Sequence, residues 1–165
     1  METIYLYVDG GCLANGKEGA QMYWSLGIKR NSGEVKEFTF DGKRLPNPFK
    51  FDRSFFDDKT LLDGHNTNNI AELLAVHAAL FYIKGLVRRY ELAQSKLHEH
   101  VRFEIVSDSE YAIGVVTGAY VPKKNKRIVE ENVGLFNGLN DVDTEYPFIA
   151  FSHAPREKIV EILGH

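Results

Sequence analysis

Residues 67–81 read TNNIAELLAVHAALF, and this stretch decides how the chain folds. Its large apolar residues recur at intervals of three and four, with alanines between them, which is the spacing of an amphipathic α-helix. The residues before it favour a two-residue period, so the chain changes from strands to helices at this point. That change predicts a fold in which helices pack on a sheet.

The first forty residues predict three strands. In residues 4–8 large apolar side chains alternate with tyrosines, and the run stops at the turn signal of residues 9–11. Two further β-rich runs, 21–30 and 34–40, are joined by a hairpin signal at 31–33. The simplest arrangement of these strands is an antiparallel meander.

Residues 41–66 break both patterns. They hold two prolines, two glycines and four phenylalanines. A bare connection of this length is unusual in a compact domain. We therefore expect an insertion that folds as a hairpin or lid on its own phenylalanines.

Beyond the long helix the patterns complete the sheet. They predict strands at 101–106 and 147–151, and helices at 110–116, at 128–139 and from residue 155 onward. The expected fold class is α/β, with a mixed five-stranded sheet flanked by helices in one domain, 1–165.

Composition narrows the class of protein. A chain of 165 residues with 26% charged residues predicts one ordinary globular domain. The net charge of −3 argues against coating nucleic acid by bulk charge but not against a local grip. A single cysteine, Cys12, excludes an internal disulfide and a multi-cysteine zinc site. With no signal-like N-terminus and no long uninterrupted apolar run, we expect a cytoplasmic protein that needs no membrane.

Three carboxylates stand where an α/β sheet concentrates its chemistry. Asp9 ends the first predicted strand, Glu72 lies in the first turn of the long helix, and Asp108 ends the fourth strand. Ligands of such sheets bind beyond strand ends and near helix N-termini, so these carboxylates would meet if the first and fourth strands are neighbours. Clustered carboxylates repel one another unless a cation neutralises them, and hard oxygen ligands favour Mg²⁺ or Mn²⁺. Two such ions about 4 Å apart are the usual apparatus for attack on a phosphodiester.

Each carboxylate also has an ordinary structural interpretation. Asp9 before two glycines could shape a turn, and Asp108 could cap the helix that starts near Ser109. Glu72 follows Asn69 by three residues, so it could be the reciprocal half of a capping box. Their joint occurrence in this order on these elements favours the metal site.

Several segments resemble the motifs of type 1 ribonuclease H. The segments are YVDGGC at 7–12 with Asn15 and Gly16 after it, TNNIAEL at 67–73, IVSDSEY at 105–111, and His153 with the Pro-Arg-Glu of 155–157. The resemblance spans nearly the whole chain. It implies a ribonuclease H-like fold and endonucleolytic cleavage of the RNA strand of an RNA–DNA hybrid.

The resemblance also implies roles for individual residues. Asp9, Glu72 and Asp108 would bind two Mg²⁺ ions, or Mn²⁺ in their place. The substrate-binding residues would include Gly10, Gly11, Cys12, Asn15, Thr67, Asn68, Asn69 and Ser109. The chemistry supports the asparagines independently, because an amide can both donate to and accept from the 2′-hydroxyl that distinguishes RNA from DNA.

A basic segment adds a candidate phosphate-binding surface. No acid lies between Glu110 and Glu130, while Lys123, Lys124 and Lys126 crowd one loop and helix start. Such a cluster suits phosphate contacts, and a solvated helix end is the alternative. A second basic cluster either adds hybrid-binding surface or only extends the helix; its residues are Lys84, Arg88, Arg89, Lys96 and Arg102.

The resemblance fails at the fourth metal ligand. The family has an aspartate ten residues after the histidine, where this chain has Leu163. Glu161 on the last helix is our candidate for the fourth carboxylate, because a short deletion would bring it into register, and Glu157 and His165 are alternatives. His153 would move protons or release product, a role that a near-neutral pKa suits, although it could also be a surface residue without a function.

We therefore expect a monomeric, Mg²⁺-dependent ribonuclease H that acts on RNA–DNA hybrids. A DNA-directed nuclease or transposase-like enzyme on the same fold is the first alternative, and the asparagines oppose it because DNA has no 2′-hydroxyl. An inactive hybrid-binding module is the second alternative. Leu163 favours that module, and the three carboxylates oppose it.

Overall fold

The computed structural model describes residues 1–13, 21–30, 35–37, 39–40, 43–44, 49–51 and 67–163. The strands are β1 (Glu2–Leu13), β2 (Gln21–Lys29), β3 (Val35–Glu37), β4 (Thr39–Phe40), β5 (Lys43–Arg44), β6 (Phe49–Phe51), β7 (Val101–Ser107) and β8 (Ile149–His153). The helices are α1 (Asn68–Leu92), α2 (Glu110–Thr117), α3 (Lys126–Asn140) and α4 (Arg156–Leu163), with a 3₁₀ turn at Leu97–Glu99.

The central sheet is mixed. Its strands lie in the order β3-β2-β1-β7-β8, and β6 pairs with β2 beside this path. β1 is antiparallel to β2 and parallel to β7, and β7 is parallel to β8. The predicted fold class, a mixed sheet flanked by helices, is confirmed. The strand count differs from the expected five because the short β6 is added.

The phenylalanine-rich segment contributes to the sheet. Its strand β6 pairs antiparallel with β2, and β5 pairs with β4 as a small second sheet. The other residues of 41–66 lie outside the described part of the chain, so the lid stays a prediction.

The main core lies between α1 and one face of the sheet. The two-residue period of β1 turns Leu6 and Val8 toward α1 and Tyr7 toward the opposite face. The buried apolar residues of α1 are Ile70, Ala71, Leu73, Leu74, Ala75, Val76, Ala79, Leu80 and Ile83. Among the described residues α1 alone is long and apolar enough to cross a membrane, but 56% of its most apolar stretch is buried inside the protein. That burial identifies α1 as the core helix.

A smaller apolar cluster covers the other face of the sheet and holds α4. Ile159 and Leu163 of α4 are buried there with Tyr7 and Val106 of the two central strands, and with Ala154. Ile159 and Leu163 lie one helical turn apart, so a single face of α4 makes this contact. The cluster sets the position of α4 beside the ends of β1 and β7.

Candidate metal and nucleic-acid site

Three carboxylates meet where β1, β7 and α1 converge. One carboxylate oxygen from each of Asp9, Glu72 and Asp108 lies within 4.8 Å of the others. Asp9 is 3% exposed and Glu72 is 8% exposed, while Asp108 is half-buried. The structure thus brings together the three carboxylates that the sequence singled out, and we call them the carboxylate trio.

Asp9 lies on a continuing strand, which corrects the expectation that it ends one. The parallel pairing of β1 with β7 stops at Tyr7 opposite Val106, whereas β1 continues beside β2 to Leu13. Asp9 itself pairs with Ser25 of β2. The turn interpretation is therefore wrong, because this backbone is strand. The carboxylate emerges just beyond the point where β7 leaves β1.

Glu72 follows the first turn of α1 instead of lying within it. Thr67 is the N-cap, and its Oγ1 accepts a hydrogen bond from the Ile70 N–H at 3.2 Å. Glu72 is consequently the fifth helical residue. The capping-box interpretation of Asn69 and Glu72 is wrong, because the cap lies two residues earlier than it requires.

A close approach between strand and helix holds Glu72 in place. The Gly10 N–H donates a hydrogen bond to the Glu72 carboxylate. A Cβ at Gly10 would lie 2.3 Å from the carbonyl carbon and oxygen of Ala71, a separation that real Cβ atoms do not show. Only glycine allows β1 to pass this near to α1, so Gly10 has a structural role in the site.

Two serines, and not Asp108, accept hydrogen bonds from the backbone N–H groups at the start of α2. The Asp108 carboxylate is therefore available to the carboxylate trio. Ser109 is the N-cap, and its Oγ accepts from the Ala112 N–H at 3.0 Å. The Oγ of Ser107 accepts from the Ser109 N–H at 3.0 Å. The capping interpretation of Asp108 is therefore wrong. The Ser109 hydroxyl caps α2, and its contact with substrate stays a prediction.

The electrostatics of the trio fit a bound cation. Burial, then the charges of Asp108 and Asp9, raise the pKa of Glu72 from 4.5 to about 9. Its Oε2 atom is buried and has no hydrogen-bond partner within the described residues. A divalent cation would supply the missing partner and favour the ionised carboxylate. These oxygen donors fit Mg²⁺ or Mn²⁺.

Arg156 lies at the edge of the trio, although no role for it was predicted from the sequence. Its Nη1 is 3.9 Å from Oδ2 of Asp108, and its guanidinium donates a hydrogen bond to Tyr23. The negative charge of Asp9 is the main cause that raises the pKa of Arg156. A cation in the first turn of a helix opposes the helix dipole, so an arginine there signals a nearby anion. That signal could have identified Arg156.

The structure describes most of the remaining residues that were expected to act on substrate. His153 is exposed, and its Nε2 lies 3.2 Å from the backbone oxygen of Asp108, to which it can donate. Asn68 and Asn69 are exposed at the first two positions of α1. Gly11 and Cys12 follow Gly10 along β1, and Asn15 lies outside the described residues. The contacts of these residues with substrate stay predictions.

The structure does not bring Glu161 into the trio. Leu163 packs inward at 8% exposure, while Glu161 is exposed. Helical residues two positions apart are separated by about 200° around the axis, so inward packing of Leu163 turns Glu161 away. The acidic group that the described residues form contains no residue of α4. His165 lies outside the described residues.

The basic segment is exposed at its three lysines and is held in place by one buried residue. Lys123, Lys124 and Lys126 are exposed, whereas Asn125 between them is buried. Asn125 takes a left-handed conformation with φ 60° at the start of α3, and its Nδ2 donates to the Tyr111 hydroxyl at 3.4 Å. The buried amide therefore holds a loop whose lysines face solvent.

Comparisons with known structures agree with this fold. LC11-RNase H1, isolated from compost by a metagenomic approach, is 20% identical with a TM-score of 0.61, over 98% of this chain and 91% of that chain. RNase H1 from the halophilic archaeon Halobacterium salinarum NRC-1 is 19% identical with a TM-score of 0.58, over 95% and 89%. A structure of LC11-RNase H1 in complex with an RNA/DNA hybrid is 20% identical with a TM-score of 0.58, over 96% and 89%.

Family membership rests on the sequence as well as on the fold. No curated protein matches the chain. The RNase H family model matches residues 1–153, which include the carboxylate trio and His153. The structural neighbours share the fold along nearly the full length of this chain. The chain belongs to the RNase H family.

Proposed function

We propose that this protein is a metal-dependent endonuclease that hydrolyses the RNA strand of RNA–DNA hybrids. The observation that carries the proposal is the carboxylate trio in a chain of the RNase H family. One carboxylate oxygen from each of its three acids lies within 4.8 Å of the others. The nuclease function is consistent with a structural neighbour, LC11-RNase H1, that has been solved with an RNA/DNA hybrid.

The trio is suited to holding Mg²⁺, with Mn²⁺ as a substitute. Asp9, Glu72 and Asp108 would provide the protein ligands of two ions. Bound ions would activate the attacking water and stabilise the leaving 3′-oxygen of the RNA. Gly10 would keep Glu72 oriented through its N–H, and Arg156 would offer a positive charge to a phosphate at the edge of the site.

The start of α1 is suited to recognising RNA. Asn68 and Asn69 are exposed and lie within one turn of Glu72. Their amides can donate to and accept from a 2′-hydroxyl beside the scissile phosphate. The Thr67 oxygen accepts the capping hydrogen bond, which leaves the hydroxyl proton for a phosphate of the DNA strand.

Two further groups support hybrid binding and turnover. Lys123, Lys124 and Lys126 lie on an exposed loop and would contact phosphates, which position the duplex without reading its sequence. His153 is exposed beside Asp108 and would transfer protons or assist product release.

An inactive hybrid-binding module is the second candidate, and one observation favours it. Leu163 occupies the position of the family's fourth carboxylate and packs in the apolar cluster. The module would bind hybrid through the same asparagines and lysines but would not cleave it.

Cleavage of a labelled hybrid tests the proposal. The parent, Asp9→Asn and Glu130→Gln should be incubated with the hybrid in Mg²⁺, Mn²⁺ or chelator, with RNA duplex, DNA duplex and single strands as controls. Glu130 is exposed on α3, so its variant makes the matched carboxylate-to-amide change outside the trio. We expect the parent and Glu130→Gln to cut only the RNA of the hybrid, and only with metal.

Asp9→Asn should bind hybrid nearly as well as the parent but not cleave it, because the phosphate contacts lie elsewhere. Preferred cleavage of duplex DNA would replace the proposal with a DNA-directed nuclease. Binding without cleavage by the parent, in either metal, would identify the inactive module.

A further inference from the structure

A groove lies at the end of α1 away from the carboxylate trio. It is lined by the C-terminal halves of α1 and α3 and by the 3₁₀ turn, and has a volume of about 750 Å³. Its lining begins at Lys84, twelve residues after Glu72, which places it about 18 Å along the helix axis from that carboxylate. The groove is therefore separate from the proposed catalytic site.

The floor of the groove is apolar. It is formed by Val87, Leu97, Leu135, Leu139, Val142 and Phe148. Leu97 and Phe148 are buried in the core, so the floor is fixed, while the other four are half-buried and remain partly accessible. Apolar side chains of a partner would be stabilised by leaving water to pack on such a surface.

Two glycines of α3 leave the wall of the groove bare. Gly134 and Gly138 lie one turn apart, and a Cβ at either position would meet nothing within 4 Å. Glycine in a helix interior costs roughly 0.5–1 kcal/mol relative to alanine. The packing of the described residues does not require glycine at these positions. A partner backbone that approaches α3 closely would require it.

The rim of the groove carries an excess of positive charge. Lys84, Arg88 and Lys96 line it with their side chains exposed, against two carboxylates, Glu91 and Asp141. The whole chain has a net charge of −3, so this rim contrasts with the molecule's overall charge. Negative groups on a partner would complement the three cations.

We propose that this groove binds a short segment of a partner protein in which large apolar side chains are flanked by aspartates or glutamates. The apolar floor receives the apolar side chains, the bare turn of α3 admits the backbone, and the three cations pair with the carboxylates. A nucleic acid fits less well, because the apolar floor would take phosphates out of water without pairing them.

Peptide binding to the full chain tests this inference by fluorescence anisotropy. The probe is a short labelled peptide that combines leucine and phenylalanine with aspartates. One control peptide replaces its apolar residues with serine, and another replaces its aspartates with lysine. A labelled DNA duplex serves as the nucleic-acid probe.

Two pairs of variants locate the binding surface. Arg88→Glu reverses a charge on the rim, and Arg89→Glu makes the same change at an exposed neighbour that does not line the groove. Gly138→Leu fills the groove from a position with open space around its Cβ, and Gly85→Leu makes the same substitution on α1 outside the groove. Both glycine positions are exposed and surrounded by solvent, so these variants should fold.

We expect only the acidic apolar peptide to bind, with Arg88→Glu and Gly138→Leu weakening it by about tenfold or more. Arg89→Glu and Gly85→Leu should bind it as the parent does, and the two glycine variants should cleave hybrid normally. Failure of the peptide to bind, or equal binding by all four variants, would overturn the inference. So would DNA binding that Arg88→Glu abolishes, or a dimer in sedimentation that Gly138→Leu converts to monomer, because nucleic acid or a second copy would then be the occupant.

Discussion

The backbone N–H of Gly10 donates a hydrogen bond to the carboxylate of Glu72, and this contact joins β1 to α1 at the centre of the site. The contact exists because glycine has no Cβ to strike the Ala71 carbonyl. A glycine on the strand thus orients an acid on the helix, which links the packing of the core to the geometry of the carboxylate trio.

Gly10→Ala should damage both stability and activity. The new methyl would meet backbone atoms of α1, which move only with the whole helix, so we expect a loss of roughly 1–3 kcal/mol or more. Urea denaturation measures the loss, and hybrid cleavage below the unfolding midpoint measures the displacement of Glu72.

Gly85→Ala is the matched control for that variant. Gly85 lies in α1 with open space around its Cβ, so alanine there should stabilise the helix by up to about 1 kcal/mol and leave cleavage unchanged. Equal stability of Gly10→Ala and the parent would contradict the close approach of β1 to α1.

The stability of the metal-free protein should fall as the pH rises. The folded pKa of Glu72 is raised from 4.5 to about 9, so the unfolded chain releases this proton first. The folded state therefore binds more protons between these values, and the free energy of unfolding decreases across that window. Thermal denaturation in chelator between pH 5 and about 9 measures the decrease.

Glu72→Gln provides the control for this pH dependence. Glutamine keeps the shape and the acceptor for Gly10 but does not ionise, so the decrease should be smaller than in the parent. Saturating Mg²⁺ should also reduce it, because the metal displaces the proton and binds more tightly as the pH rises. Parallel pH profiles for the parent and Glu72→Gln would rule out a raised pKa.

Arg156→Gln should lower the Mg²⁺ concentration needed for half-maximal activity and raise the KM for hybrid. Its guanidinium lies beside Asp108 and Asp9, so its removal should lower severalfold the Mg²⁺ concentration for half-maximal activity. Loss of the same charge should raise the KM for hybrid, because a phosphate contact disappears. Steady-state kinetics at varied Mg²⁺ and varied hybrid separate the two effects.

Arg156→Lys keeps the charge and should retain the parent's Mg²⁺ dependence. Lys158→Gln removes another exposed cation of α4 and should change neither quantity. A rise in the Mg²⁺ requirement of Arg156→Gln would mean that the arginine supports the metal site instead of repelling the ions.

Glu161→Gln should cleave hybrid within about twofold of the parent even at low Mg²⁺. Glu161 is exposed on the side of α4 opposite Leu163, so its loss removes no member of the trio. Initial rates over a Mg²⁺ series measure the effect. A strong loss that Mn²⁺ or higher Mg²⁺ partly restores would instead make Glu161 the fourth ligand.

The sequence by itself determined the element types and the three acids. The spacing of hydrophobic residues distinguishes a strand from a helix because each element buries one of its faces. This spacing correctly predicted α1 and the mixed sheet. The acids Asp9, Glu72 and Asp108 were identified by their positions on these elements. Their convergence followed from the family resemblance and from the rule that α/β sheets bind ligands at strand ends.

Tertiary structure alone decided the contacts between segments that are distant in sequence. That Asp9 lies on a continuing strand depends on where β7 leaves β1, which no local pattern encodes. The roles of Arg156 and Leu163 depend on how α4 packs beside those strands. The groove depends on the spacing between α1 and α3. These features follow from side-chain packing across the whole core, whereas periodicity reports only which face of each element is buried.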